Sequence, residues 1–302
     1  MTTLASPTLT AHPRSRRSPW QLISAEIMKI RTTNTWWLFT IGIVVITALA
    51  LTSNGFDHHY ALFPNLTHMG PGERASAVAD AAAAHTHAGL AALTADMMTS
   101  GQLFGVLFAM LIGALLVTNE FFHQTATATF MTNPRRTSVI LAKLAAAAAF
   151  GVLFWFVSTV LNVITTPIFI HSQHVPISVT DWVVVRSVLL NLLAYVIWAI
   201  FGLGLGTLIR SQIGSVVTGM AVYLIGFAAV EVIFHLLYNV YSHAWVLGLP
   251  VIAPAAASLV MTTPGRAFDH APPQWAGLLV MIGYAIILGG IGVMLTRRRD
   301  IT

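Results

Sequence analysis

Cysteine is absent from this chain, and charge is scarce. With Cys 0, disulfides, thiolate metal sites and cysteine nucleophiles are all excluded. Only 8% of the 302 residues are Asp, Glu, Lys or Arg, whereas 56% are hydrophobic. A soluble domain carries roughly a quarter charged residues, so this chain has too few to cover its own surface with water-facing groups. It reads as an integral membrane protein. A third absence concerns phosphate: there is no G-x-x-x-x-G-K-[ST] and no Gly-Lys pair anywhere, so no P-loop holds ATP here. The formal charge of +5 does not point to nucleic acid, because the basic residues sit at the ends of apolar runs, where bilayer orientation explains them.

What is present is a series of long apolar runs. A hydrocarbon core about 30 Å thick takes roughly 20 residues per helix. Six segments qualify: about Trp36 to Ser53, Gly101 to Val117, Leu144 to Ile170 (interrupted late by Pro167), Ser187 to Ile209, Ile213 to Phe234, and Trp275 to Leu295. The first lies too far along the chain, behind an n-region of about 35 residues, to match a cleaved signal peptide. With the N-terminus inside, the cytoplasmic side holds Arg14, Arg16, Arg17, Lys29, Arg31, Arg135, Arg136, Lys143, Arg210, Arg297, Arg298 and Arg299; of the 15 basic residues only Arg74, Arg186 and Arg266 fall outside. Six spans then place both termini in the cytoplasm of a cell carrying this chain in its plasma membrane. Residues 1–17, rich in Ser, Thr, Pro and Arg, form an expected disordered tail, and 18–302 form one six-span domain.

Ahead of the first span, Trp20, Ile23, Ile27 and Ile30 recur at helical period, with Glu26 and Lys29 off that stripe and Arg31 following. This predicts an amphipathic helix with its charged side in the cytosol. The stretch "LPVIAPAAASLVM" is too short and Pro-broken to span, and predicts a re-entrant or interfacial element whose backbone must be satisfied within protein. "GLGLG" at Gly202 to Gly206 lies inside an apolar span, where Gly202 and Gly206 form a small-xxx-small pair for close helix packing.

Candidate chemistry is sparse. His85-x-His87 and His171-x-x-His174 lack further ligands at metal-site spacing, so no metal site is expected. Glu231 stands one turn before His235 inside the fifth span, and an intramembrane carboxylate is a functional hypothesis in its own right. No catalytic set is evident, and the chain is not expected to be an enzyme by itself. The most polar internal stretch is "TNEFFHQTATATFMTNPRRTSVILAKLAAA", the loop between spans two and three. There Thr125 to Thr132 can continue a helix past the membrane, Asn133 and Pro134 stop it, and Arg135 and Arg136 open a second helix reaching Lys143.

Glu120, Thr125, Pro134, Arg135, Arg136 and Lys143, in that order, resemble the first cytoplasmic loop of type-2 ABC-transporter permeases. "AEIMKIRTTNTWW" resembles that family's elbow helix, with Glu26, Lys29 and Arg31, and "GLGLGTLIRSQIGS" resembles its turn from the fourth span into the fifth. The resemblance covers about residues 18 to 302. It implies an all-α membrane subunit of an exporter for an amphiphilic substrate: a drug, an antibiotic or a lipid-linked molecule. It also implies a second permease copy, as homodimer or heterodimer, and a separate ATP-binding subunit that supplies ATP and Mg. In that picture the loop is a coupling hairpin, and Glu120 with the arginines docks the ATPase. The long first external loop and His123 depart from the pattern. A stand-alone secondary transporter or channel is the alternative; it would want ionisable residues or broken helices at the midplane.

Overall fold

The computed structural model describes residues 18–125, 129, 131, 136–176, 179–264, 267–268 and 270–298. Among them there is no strand, and the architecture is helical throughout. Among the described residues six helical segments are long and apolar enough to cross a membrane, which makes the chain a multi-pass membrane protein.

Helix α1 (Pro19–Arg31) starts at a full capping box. Ser18 Oγ accepts from the Gln21 amide while the Gln21 side chain accepts from the Ser18 amide, so two orphan donors of the first turn are satisfied. Next come α2 (Thr35–Leu62), α3 (Pro71–Ala84), α4 (His87–Met98) and α5 (Gln102–Phe122). The long α6 (Arg136–Ser172) runs unbroken past Pro167 and is followed by α7 (Trp182–Leu208) and α8 (Gln212–Tyr241). A 3-10 helix (Ala244–Ile252) then bends into α9 (Pro254–Thr262), and α10 (Gln274–Arg298) closes the chain.

All six expected spans are present, and most are longer than their apolar runs. α2 continues nine residues beyond Ser53, through polar residues that remain helical, and the Ala-rich stretch that follows in the first external loop forms α3 and α4, broken at His85 and Thr86. The 3-10 helix and α9 meet at 104°. Nearly every residue of α9 is buried, so this limb of the bent pair is enclosed by protein, the condition on which a re-entrant element depends, whereas of the 3-10 helix only Val246 and Pro250 are buried.

The bundle is built around α5 and α7. A Cβ at Gly202 would overlap the carbonyl oxygen of Met110, one at Gly113 would overlap that of Ala199, and one at Gly206 would come within 2.8 Å of the Ala114 carbonyl oxygen. These glycines let the two backbones touch. Without hydrophobic driving force between helices in lipid, such close packing is a main source of association. Around this pair Tyr195, Trp198, Phe154 and Met110 are fully enclosed, with the Trp198 ring edge-on to Tyr223 at 4.9 Å.

The second span is discontinuous. α4 ends at Met98 and α5 begins at Gln102, with Gly101 between them in the left-handed region at φ 82. A Cβ there would lie 2.8 Å from the Thr47 Cα, so glycine meets both the backbone angle and the close approach of α2. The carbonyls freed by the break are not left bare. Asn162 Nδ2 donates to Met98 O at 3.0 Å and Ser100 O at 3.1 Å, while Asn54 Nδ2 donates to Ser100 Oγ at 2.8 Å. Thr47 Oγ1 and Ser158 Oγ pair at 3.1 Å, and Gln102 Nε2 donates to Ser258 Oγ at 2.6 Å, tying the break to α9.

Candidate functional site

The sequence contains two lysines, Lys29 and Lys143, and the fold brings both to one place. α1 packs against α6 near the C-terminal end of α5. Lys143 Nζ donates to Glu26 Oε2 at 2.7 Å and to the Leu116 carbonyl at 3.0 Å, and lies 2.9 Å from Glu120 Oε1. Lys29 Nζ donates to Glu26 Oε1 at 2.6 Å and to Glu120 Oε1 at 2.5 Å. Thr129 Oγ1 adds a bond to Glu120 Oε1 at 3.2 Å. Two acids and two bases therefore close a ring joining α1, the end of α5 and the start of α6.

Burial decides what this ring does. The Lys143 side chain is 3% exposed, Glu26 5% and Glu120 8%, against 41% for Lys29. A lone ion so deeply buried would cost several kcal/mol; here the four charges sum to zero. Each of the three ammonium protons of Lys143 has an oxygen to meet. The compact ammonium suits this cage, and a planar guanidinium would not. Burial of Lys29 opposes its charge, but attraction to Glu120 and then Glu26 outweighs it, so its pKa lies above the ordinary lysine value.

Several sequence expectations change at this point. Helical periodicity puts Glu26 on the water-facing side of α1; it is instead 4% exposed, because Lys143 reaches it from α6. Meanwhile Trp20 and Met28 are exposed and Ile30 is buried. The apolar stripe is thus only partly the face that packs. Glu120 and Lys143, expected in the docking surface, point into the ring. Arg31 and Thr125 are exposed, and the Thr125 amide donates to the Glu120 carbonyl at 2.9 Å. The helix of α5 does not run on through Thr125: it stops at Phe122, and Gln124 turns the chain at φ 55. Arg136 opens α6, which continues through Lys143 into the span as one helix. Pro134 and Arg135 lie outside the described residues, as does Asn133. The end of α7 joins the same region, where Arg210 lies over the Phe121 ring at 5.3 Å, a favourable cation–π placement.

Glu231 and His235 are remote from this ring in the chain, on α8. Glu231 Oε1 is buried without a hydrogen-bond partner among the described residues, and His235 is exposed. The described residues contain no group of three or more His, Asp or Glu placed to hold a metal ion. Sequence patterning alone does not single out the polar lining of the α4–α5 break, from Thr47 to Ser258. Its sequence signal is Ser158, Asn162 and Thr166 at four-residue spacing on one face of an otherwise apolar helix.

Fold and ring together define a class: an all-helical, multi-pass membrane protein whose N-terminal helix is ion-paired to two of its spans. Within that class the chain belongs to the DUF2705 family, described as proteins of unknown function, whose model matches residues 75–302. No curated protein matches the chain.

Proposed function

We propose that this chain is the membrane subunit of an ATP-driven exporter of an amphiphilic substrate, working with a separate ATP-binding subunit and a second permease copy. The observation that carries the reading is the ring of Glu26, Lys29, Glu120 and Lys143. It fixes α1 to both helices that flank segment 123–135, so a push on that segment is passed to two spans at once and to α1 with them. In this reading α1 is the elbow helix and segment 123–135 carries the coupling contact. Arg135 and Arg136 supply the contact with the ATPase, and Glu120 and Lys143 hold the segment's two feet in place. The resemblance of the loop and of "GLGLGTLIRSQIGS" to type-2 ABC permeases supports the same assignment.

The second reading, a secondary transporter, has one observation in its favour. The α4–α5 break places unwound backbone beside buried polar side chains, an arrangement found at substrate and ion sites of such proteins. Against it, the carbonyls at the break are already taken by Asn162.

The exporter reading requires the α1 end to be cytoplasmic, as the basic residues indicate. The absence of cysteine makes the test clean. A single cysteine at position 80 or 270 should react with an impermeant maleimide added to intact cells, and one at 136 or 299 should react only after the membrane is opened. External labelling at 136 would remove the segment from the ATPase side and end the coupling argument.

A further inference from the structure

At the opposite end of α7 from Gly206 is a recess that the coupling reading does not use. It has a volume of about 350 Å³ and lies between the starts of α7 and α10 and the loop before α10, lined by Arg186, Leu190, Pro272, Gln274, Trp275 and Leu278 among others. Two polar atoms here are buried without hydrogen-bond partners among the described residues: Arg186 Nε and Gln274 Oε1. The Gln274 amide nitrogen is used, donating to Ser187 Oγ at 3.4 Å, which leaves its oxygen as a free acceptor. Asp181, the nearest acid in sequence, faces His87 at 3.3 Å, and no ion pair to Arg186 forms among the described residues. Among the described residues the recess therefore offers a cation with no acid facing it, an acceptor with no donor and an apolar wall. Trp182 and Trp275, which open the two helices, are 67% and 63% exposed, as expected of residues at headgroup level.

We propose that this recess holds the head of an anionic phospholipid from the surrounding leaflet, with the phosphodiester on Arg186 and a headgroup hydroxyl on Gln274 Oε1. A guanidinium fork matches phosphate oxygens with charge-assisted bonds, and the glutamine oxygen demands a donor. A glycerol-type head supplies that donor, whereas a choline head carries none. Leu190 and Leu278 then flank the acyl chains. This assignment needs only a membrane around the bundle and does not depend on the exporter reading.

The test is lipid retention by the purified, delipidated full chain in detergent, followed by native mass spectrometry and thermal unfolding. The probes are phosphatidylglycerol, phosphatidylcholine and soluble glycerol 3-phosphate. Wild type should bind phosphatidylglycerol in preference to phosphatidylcholine and gain thermal stability from it. Arg186→Gln should weaken phosphatidylglycerol binding roughly ten- to hundredfold, the range for losing one charged hydrogen-bonding group, and abolish the thermal gain. Arg31→Gln, at the other end of the bundle, should leave the preference intact. Arg186→Lys keeps the charge but loses the fork; it should reduce the preference severalfold and decides the matter if Arg186→Gln does not fold. Equal binding of the two lipids by wild type, or an unchanged preference in the folded Arg186 variants, would overturn the proposal. Glycerol 3-phosphate matching phosphatidylglycerol would overturn the lipid as occupant.

Discussion

Lys143→Ala is expected to be the most damaging single substitution at the α1 end of the bundle. It leaves Glu26 and Glu120, both nearly enclosed, with one half-exposed lysine between them. Breaking a buried ion pair from one side costs about 3–5 kcal/mol, a large fraction of the stability of an ordinary domain. Lys29→Ala removes the half-exposed member of the ring while Lys143 keeps its contacts with both carboxylates, and should cost less than Lys143→Ala. Two further variants separate charge from geometry. Lys143→Arg keeps the charge but does not fit three oxygens at 2.7–3.0 Å, and should behave nearly as badly as Lys143→Ala. The double change Glu26→Gln with Lys143→Met restores neutrality and should recover much of the loss. The readout is the fraction of monodisperse protein in detergent as temperature is raised. A Lys143→Ala protein as stable as wild type would show that the ring does not hold α1 to the spans.

The second large effect is expected at Asn162. Asn162→Leu conserves size but withdraws the donor shared by the Met98 and Ser100 carbonyls, at a break whose residues are buried. The Met98 carbonyl loses its side-chain donor and the Ser100 carbonyl keeps only a long bond from Ser158; a buried carbonyl left bare costs about 1–3 kcal/mol. Ser158→Ala should be milder, because its bond to the Ser100 carbonyl is long, at 3.4 Å, and Asn162 still serves that oxygen. Hydrogen exchange of the α4 amides gives a local readout: Asn162→Leu should open α4 while α5 and α7 stay protected. Unchanged protection of α4 would mean that packing alone holds the break in place.

The contrast between these two places shows which features of the fold a single sequence makes legible. Six spans were readable because each is a long apolar run, and the close approach of α5 and α7 was foreshadowed by Gly202 and Gly206. Where helices stop was less legible: α2 runs on to Leu62 because leaving an apolar environment does not by itself end a helix. At Gly101 the sequence reads as the simple start of a span, since α4 is Ala-rich and weakly patterned. Glu26 departs from the face that periodicity gives it for a different reason. Periodicity reports which residues share a helix face, but the face that is buried is chosen by the partner, and Lys143 is more than a hundred residues away. The clue that was available is scarcity. A chain with two lysines and four glutamates that places both lysines and two of those glutamates near one end of its topology is prone to pair them there.

For Glu120 the structure also alters how the coupling idea should be tested. Because its carboxylate closes the ring with Lys29 and Lys143, Glu120→Ala is expected to unsettle α1 as well as transport, and by itself distinguishes little. Arg135 and Arg136 are the better probes of the proposed contact, since changing both to lysine conserves positive charge, on which orientation depends, while lysine cannot make the bidentate contacts that the proposal assigns to arginine.

The central claim is that segment 123–135 meets a separate ATPase, and affinity purification of the chain from its native membrane tests it most directly. The account predicts that wild type co-purifies with an ATP-binding subunit and that the complex hydrolyses ATP. It also predicts that the chain alone has no ATPase activity, and that Arg135→Lys with Arg136→Lys lowers the recovered ATPase at unchanged membrane levels of the chain. A chain that purifies without any ATP-binding partner, and that moves its substrate in liposomes on an ion gradient alone, would contradict the account.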